Sequence, residues 1–259
     1  AGSFPPLSGA TAVSAVKADE GVSGAIPIGF TFNYSGGSYT NVYASSNGFL
    51  SFNSSITSSL TNNLTTPAST ILPLIAPLWD DLDGTSAGTA SYLTSGTAPN
   101  RVFTFEWLNW EWNYTVNAAT ISFQVKLYES DGHIEFVYRQ DASSVVSGSA
   151  SIGLAGLTSG NFLSLNGTGA SPTASSVTET TSLSTKPATG QVYAFYRPTP
   201  SGFAWTPSTF LSNAAISNPL ATGITSTTTY TVTASNGGCT ASSSVTVTAG
   251  AQLTCGALT

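Results

Sequence analysis

Three neighbouring carboxylates form the densest group of chemically capable side chains in this chain. Asp80, Asp81 and Asp83 lie within residues 79–84, which end at a glycine. Ca²⁺ takes hard oxygen ligands, so these three side chains are candidate Ca²⁺ ligands. The spacing is not that of an EF-hand loop, whose later ligands and closing Glu are missing here. The alternative is a polar turn in which the Asp side chains accept hydrogen bonds from nearby backbone amides.

Three tryptophans form the second candidate site. Trp107, Trp110 and Trp112 are accompanied by two acids, Glu106 and Glu111. An exposed row of indoles with flanking acids could stack on sugar rings, which makes the tryptophans a candidate ligand-binding site. Core packing is the alternative, because at least half of the residues on a strand must point inward. The odd spacing of Glu106 and Glu111 places them on opposite faces, which argues against a glycosidase pair.

Few other residues could support catalysis. The 259 residues include one His, His133, and six Lys plus Arg, and charged residues are 7% of the chain. A chain with a single His has neither a complete His-based metal site nor further candidates for a Ser–His–Asp triad, so His133 is expected to be an exposed hairpin residue. The net charge of −6 argues against nucleic-acid binding. We therefore predict no enzyme activity and no cofactor apart from the candidate Ca²⁺.

The two cysteines of the chain are Cys239 and Cys255. A count of two suggests that they pair in one disulfide across a short loop. Two unpaired thiols, or partners beyond the ends of this chain, are the alternatives. A single bridge in a chain of this length would not be a disulfide scaffold.

The elements that must position these residues are β-strands. Alternation with period two is common, β-branched and aromatic residues fill the apolar positions, and helical periodicity is nearly absent. The clearest hairpin joins residues 121–128 to 133–139 through an Asp-Gly pair, which is a type I′ turn signal. Along residues 102–112 the alternation breaks near Asn109, which predicts a β-bulge. Many short strands separated by turn signals favour β-sandwiches over barrels.

A change of composition predicts two domains. Residues 197–202 contain two prolines and a glycine, which are typical of a short stiff linker. The predicted fold class is all-β, with a larger antiparallel β-sandwich at residues 1–197 and a small immunoglobulin-like β-sandwich at 198–249. Residues 250–259 form a tail without a pattern of their own. No apolar run reaches the length of a membrane-spanning helix.

The first domain resembles the nidogen-like β-sandwich found in secreted proteins of Bacteroidetes-type bacteria. The segments that carry the resemblance are residues 26–52, 74–84, 92–110, 121–138 and 151–156, and their combined order is fairly specific. The resemblance implies a secreted β-sandwich and brings no shared catalytic residues. The family has an aromatic-containing first strand, whereas the sequence here starts partway into it.

The second domain resembles the PKD-like or immunoglobulin-like modules of the same secreted proteins. Residues 203–248 carry that pattern, in a single copy. Such modules usually occur as repeated spacers in large cell-surface, adhesive or gliding-related proteins. The usual Cys near the start of the module is missing from residues 198–210. The resemblance therefore implies an extracellular location and a role in surface contacts.

Two functions follow as hypotheses. The first is an extracellular structural or adhesive cell-surface protein whose partners are further copies of itself or other surface proteins. It could form a surface filament by strand addition, with the tail at residues 250–259 filling the groove left by the incomplete first strand. The second is a carbohydrate-binding module of a larger secreted protein, assisted by Ca²⁺. Exposed indoles at 107, 110 and 112 and a cation among the acids would favour the second hypothesis.

Overall fold

The chain is almost entirely β-structure, as its alternating sequence predicts. A computed structural model describes residues 2–236 and 239–250. The contacts divide the chain into two compact units, residues 1–196 and 197–259, and the predicted boundary at 197/198 lies one residue from this division. The first unit has two short 3₁₀ helices, Ser14–Lys17 and Ser69–Ile71. All of its named strand pairs are antiparallel.

Thirteen strands build the first unit. In chain order they are β1 (Thr11–Ala12), β2 (Ile26–Tyr34), β3 (Gly37–Ser45), β4 (Phe49–Ser51), β5 (Leu74–Trp79), β6 (Thr89–Ser95), β7 (Val102–Trp110), β8 (Ile121–Tyr128), β9 (Ile134–Gln140), β10 (Ser151–Ala155), β11 (Phe162–Leu165), β12 (Ala174–Ser175) and β13 (Val192–Phe195). One sheet has the order β1-β6-β7-β8-β9-β13, and the other has the order β12-β11-β10-β5-β4-β3-β2. The larger predicted antiparallel sandwich is thus confirmed.

The main core lies between the two sheets and follows the period of the strands. The side chains of β8 that share one face, Ile121, Phe123, Val125 and Leu127, are all fully buried. Strand β5 is buried along its whole length, which explains why its sequence is continuously apolar and does not alternate. A second apolar cluster accounts for this burial, since β5 contributes Leu74, Ala76 and Trp79 to it.

The predicted β-bulge at Asn109 is confirmed. Trp107 pairs with Phe123 and Trp110 pairs with Ile121, so the register between β7 and β8 shifts between the two indoles. Asn109 adopts a φ of 58°, in the left-handed region that Asn tolerates better than most residues. One extra residue in the bulge turns Trp107 and Trp110 toward the same core.

The hairpin between β8 and β9 is confirmed, but its turn is wider than the predicted type I′ turn. Leu127 pairs with Ile134 at the end of the ladder. A type I′ turn needs a positive φ at both central residues. Here the φ of Gly132 is 70°, whereas the φ of Asp131 is not positive. The carboxylate of Asp131 instead accepts a hydrogen bond from the backbone N–H of His133 at 3.1 Å.

The second unit contains one three-stranded antiparallel sheet in its described part. Its strands are β14 (Gly202–Thr206), β15 (Thr228–Asn236) and β16 (Cys239–Val247), in that order. Two aromatic side chains of this sheet donate hydrogen bonds to the segment between β14 and β15. Trp205 Nε1 donates to the carbonyl of Ile216, and Tyr230 Oη donates to the carbonyl of Thr209, both at 2.9 Å. The immunoglobulin-like or PKD-like nature of this unit stays a prediction.

Candidate functional site

Asp80 is a buried acceptor that joins three parts of the first unit. Its Oδ2 accepts hydrogen bonds at 2.7 Å from Trp112 Nε1 and from the backbone N–H of Ser149. Its Oδ1 accepts one from Ser149 Oγ at 2.9 Å and one from the N–H of Asp81 at 3.0 Å. The carboxylate is therefore used to satisfy buried donors of the protein itself, as in the turn alternative.

Asp83 is also occupied by its own loop. It accepts hydrogen bonds from the backbone N–H of Thr85 at 2.9 Å and from Thr85 Oγ1 at 2.5 Å. Its backbone pairs with Glu111 through two hydrogen bonds, of 3.2 and 2.8 Å. These bonds agree with the polar-turn alternative for Asp83, and joint Ca²⁺ binding by Asp80, Asp81 and Asp83 stays a prediction.

Asp81 instead joins two acids from a distant part of the sequence. Carboxylate oxygens of Asp19, Glu20 and Asp81 all lie within 4.8 Å of one another. Asp19 and Glu20 follow the first 3₁₀ helix, and Glu20 adopts a φ of 57°. Asn47 Nδ2 donates to Glu20 Oε2 at 3.3 Å, and Ser58 Oγ donates to the same oxygen. We call Asp19, Glu20 and Asp81 the carboxylate group.

The carboxylate group is a centre of negative charge. Burial raises the pKa of Asp81, and the charges of Glu20, Asp19, Asp80 and Asp83 raise it further. Burial also raises the pKa of Asp19, with Asp83 and Glu20 adding to the effect. Within the described ranges, these three acids form no ion pair with Lys, Arg or His. Three oxygen donors that repel one another are the donor set that suits a hard cation such as Ca²⁺.

Glu111 is a second buried carboxylate close to this region. It is fully buried, and its Oε1 accepts a hydrogen bond from the N–H of Ser86 at 2.9 Å. Among the residues that the structure describes, none donates a hydrogen bond to its Oε2. Burial raises the pKa of Glu111, and the nearby charge of Asp83 contributes in the same direction. Glu106, in β7, is also buried, and its Oε2 accepts a hydrogen bond from Gln124 Nε2 at 2.7 Å.

The three tryptophans lie in the core of the sandwich. Trp107, Trp110 and Trp112 are each fully buried. Their indole N–H groups donate to the carbonyl of Ser45 at 3.0 Å, to the carbonyl of Ser46 at 2.9 Å and to Asp80, respectively. Of the two alternatives that the sequence left open, core packing is therefore the one that the structure shows. The bulge at Asn109 and the polar partner of each indole allow all three rings to turn inward.

His133 is more enclosed than the sequence suggests. Its ring stacks between Tyr128, at 3.8 Å between centroids, and Tyr196, at 4.9 Å. Nδ1 lies 2.5 Å from Asp131, and Nε2 lies 3.7 Å from Glu135. The side chain is 12% exposed, so the expectation of an exposed hairpin residue is corrected. The aromatic neighbours explain the difference, because Tyr196 comes from a part of the chain far from the hairpin.

The second unit presents an uncharged strand edge. All six basic and all twelve acidic residues of the chain lie within its first 197 residues. Residues 240–246 of β16 are exposed. Hydroxyl groups pair between β15 and β16: Thr229 with Thr246 and Thr231 with Ser244 at 2.9 Å, and Thr233 with Ser242 at 3.1 Å. The sequence analysis did not identify this surface or the roles of Asp19 and Glu20. The absence of charged residues after residue 197 could have indicated the uncharged edge.

The predicted disulfide and strand donor fall largely outside the described residues. Cys239 begins β16. Cys255 and residues 251–259 of the proposed donor tail lie beyond the part of the chain that the structure describes. The disulfide between Cys239 and Cys255 and the donor role of the tail therefore stay predictions.

Comparison with known proteins places most of the chain in one family. Residues 1–198 match the family described as NIDO related. No curated protein and no solved structure matches the chain. In the described part, no helix is long and apolar enough to cross a membrane.

Proposed function

The chain belongs to the NIDO-related family, and we propose that it is an extracellular structural or adhesive protein that acts through its surfaces. A nidogen-related domain fits an extracellular setting, and the sequence resemblance of residues 203–248 to spacer modules of surface proteins supports the same location. The chain has one His and six Lys plus Arg, so few of its side chains could support catalysis. Two of its acids, Glu106 and Glu111, are only 2% and 0% exposed. Both facts agree with a protein that acts by binding other proteins through its surface.

The exposed edge of β16 is the observation that carries the proposal. Edge strands offer unpaired N–H and C=O groups, and soluble proteins usually protect them with charge, proline or irregular geometry. Strand β16 has nine residues without a charge or a proline. Such an edge is suited to association with another chain by strand addition. We propose that strand addition joins the protein to further copies of itself. A surface filament would form with the tail at residues 250–259 as a head-to-tail donor, because two identical edges that pair with each other close into a dimer.

The carbohydrate-binding alternative lacks support from the residues on which it depended. Sugar stacking needs an exposed aromatic face, and the three indoles are buried. Ca²⁺ bound by the carboxylate group would not by itself support sugar binding, because a cation there could equally serve to hold two loops together. The structural or adhesive function is therefore preferred.

Protease treatment of intact source cells tests the proposed location. Proteinase K suits this test, because the second unit lacks Lys and Arg after residue 197 and offers trypsin no site there. We expect the chain to disappear from immunoblots of treated intact cells while a cytoplasmic control protein persists. Loss of the chain only after lysis would overturn the proposed function.

A further inference from the structure

The outer edge of β16 differs from every other sheet edge in the described part of the chain. Strands β1 and β12 have two residues each, and β13 has four. Strand β2 contains Pro27 and a register irregularity. At β14, the N–H of Trp205 donates to the carbonyl of Ala214 at 2.9 Å. Of the edges within residues 2–236 and 239–250, only β16 is both long and regular, because its nine residues pair with β15 without a shift.

The alternation of the backbone identifies the free groups of this edge. The carbonyl of Ser235 accepts a hydrogen bond from Ser201 at 2.9 Å, next to β14, so the backbone groups of Ser235 point away from β16. Ser235 pairs with Thr240. In an antiparallel ladder both residues of such a pair turn their N–H and C=O groups outward. The residues of β16 with outward groups are therefore Thr240, Ser242, Ser244 and Thr246.

We infer that this edge pairs with the same edge of a second copy, antiparallel, about a two-fold axis at Ser243. In that register Ser242 lies opposite Ser244, and Thr240 lies opposite Thr246. Every residue with outward backbone groups then meets another such residue, as an antiparallel ladder requires. The hydroxyl side chains of both copies also share one face, because directly opposed residues lie on the same side of a sheet.

The absence of charge favours a second copy as the partner. Two identical edges that carried charge would repel each other at close range, whereas residues 198–259 contain no Asp, Glu, Lys or Arg. The net charge of −6 belongs to the first 197 residues. Pairing extends two three-stranded sheets into one sheet of six strands. This inference rests on the proposed function, since it names the partner and the surface for self-association.

Hydrogen exchange of the whole chain at rising concentration tests the inference. A reducing agent is present, so that Cys239 and Cys255 cannot link copies covalently. We expect the amides of Ser242 and Ser244 to become protected as concentration rises, together with a dimer in sedimentation equilibrium. Amides at 242 and 244 that stay unprotected in a dimer, or a chain that stays monomeric, would overturn the pairing.

Two variants and a control locate the contact. Ser244→Pro removes an outward N–H, which an edge strand tolerates, and Ser242→Lys places a charge at the contact. Each should raise the dimer dissociation constant by about tenfold or more. Thr206→Lys on β14 is the matched control and should leave it unchanged. Equal dimerisation of all four proteins would refute the assignment to β16. The extracellular location is tested independently by protease treatment of intact cells. A result that refutes the pairing would therefore not refute the proposed location.

Discussion

The indole N–H of Trp112 donates a 2.7 Å hydrogen bond to Oδ2 of Asp80, and both side chains are buried. This bond unites one residue from each of the two sites that the sequence offers, the acidic run and the tryptophan row. Each is a part of the core and neither is part of an open ligand site. The same carboxylate also holds Ser149, which lies 69 residues further along the chain.

Replacement of Asp80 should destabilise the fold. Asp80→Ala leaves Trp112 Nε1 and the N–H of Ser149 buried without an acceptor, and we expect a loss of about 2–4 kcal/mol in the free energy of unfolding. Urea denaturation measures it. Asp81→Ala is the matched control one residue away and should not lower stability. Equal effects of the two substitutions would contradict the roles given to these acids.

Neutralisation of Asp81 should stabilise the protein when divalent cations are removed. Asp81→Asn relieves repulsion by Asp19 and Glu20, and we expect a gain of a few tenths of a kcal/mol, because the group is partly open to solvent. Thermal unfolding in EDTA gives the result, and a lower melting temperature for the variant would refute it. Addition of Ca²⁺ to both proteins tests the sequence-based Ca²⁺ prediction. A rise in melting temperature that is confined to the wild type would assign the cation to the carboxylate group.

The bulge at Asn109 should depend on its backbone conformation. Asn109→Val places a β-branched residue at a φ of 58° and removes the 2.8 Å bond from Arg139 to Asn109 Oδ1. We expect a loss of about 2–3 kcal/mol. Asn109→Gly keeps the φ accessible and loses only the side-chain bond, so it should cost less. A glycine variant as unstable as the valine variant would show that the conformation of the bulge is not the cause.

Glu106 should make stability depend on pH. Burial raises the pKa of Glu106 above its ordinary value of 4.5 in the folded state. The folded state therefore binds this proton more tightly than the unfolded state does. The stabilising contribution is complete below the unfolded pKa and is lost as pH rises through the raised folded pKa. Glu106→Gln removes the titration, so its stability relative to the wild type should increase with pH across that window. Urea denaturation of both proteins over that range measures this, and a constant difference would contradict it.

The sequence predicted the sandwich, the bulge and the β8–β9 hairpin because each depends on local alternation. Asn109 interrupts a clear period of two, and Ile121 to Leu127 keep it. The carboxylate group could not be found in this way, since Asp19 and Asp81 meet only through the packing of distant loops. Contiguous acids were grouped together, but a turn directs Asp80 inward and Asp81 outward. The burial of Trp112 likewise depended on a partner, Asp80, that no spacing reveals.

Electron microscopy of the native material, as isolated from the source, shows whether copies of this chain associate. We expect paired or polymeric assemblies in which copies of the chain repeat regularly and meet through their second units. Dispersed single particles at concentrations well above those on the cell would contradict a protein whose role is to join with copies of itself.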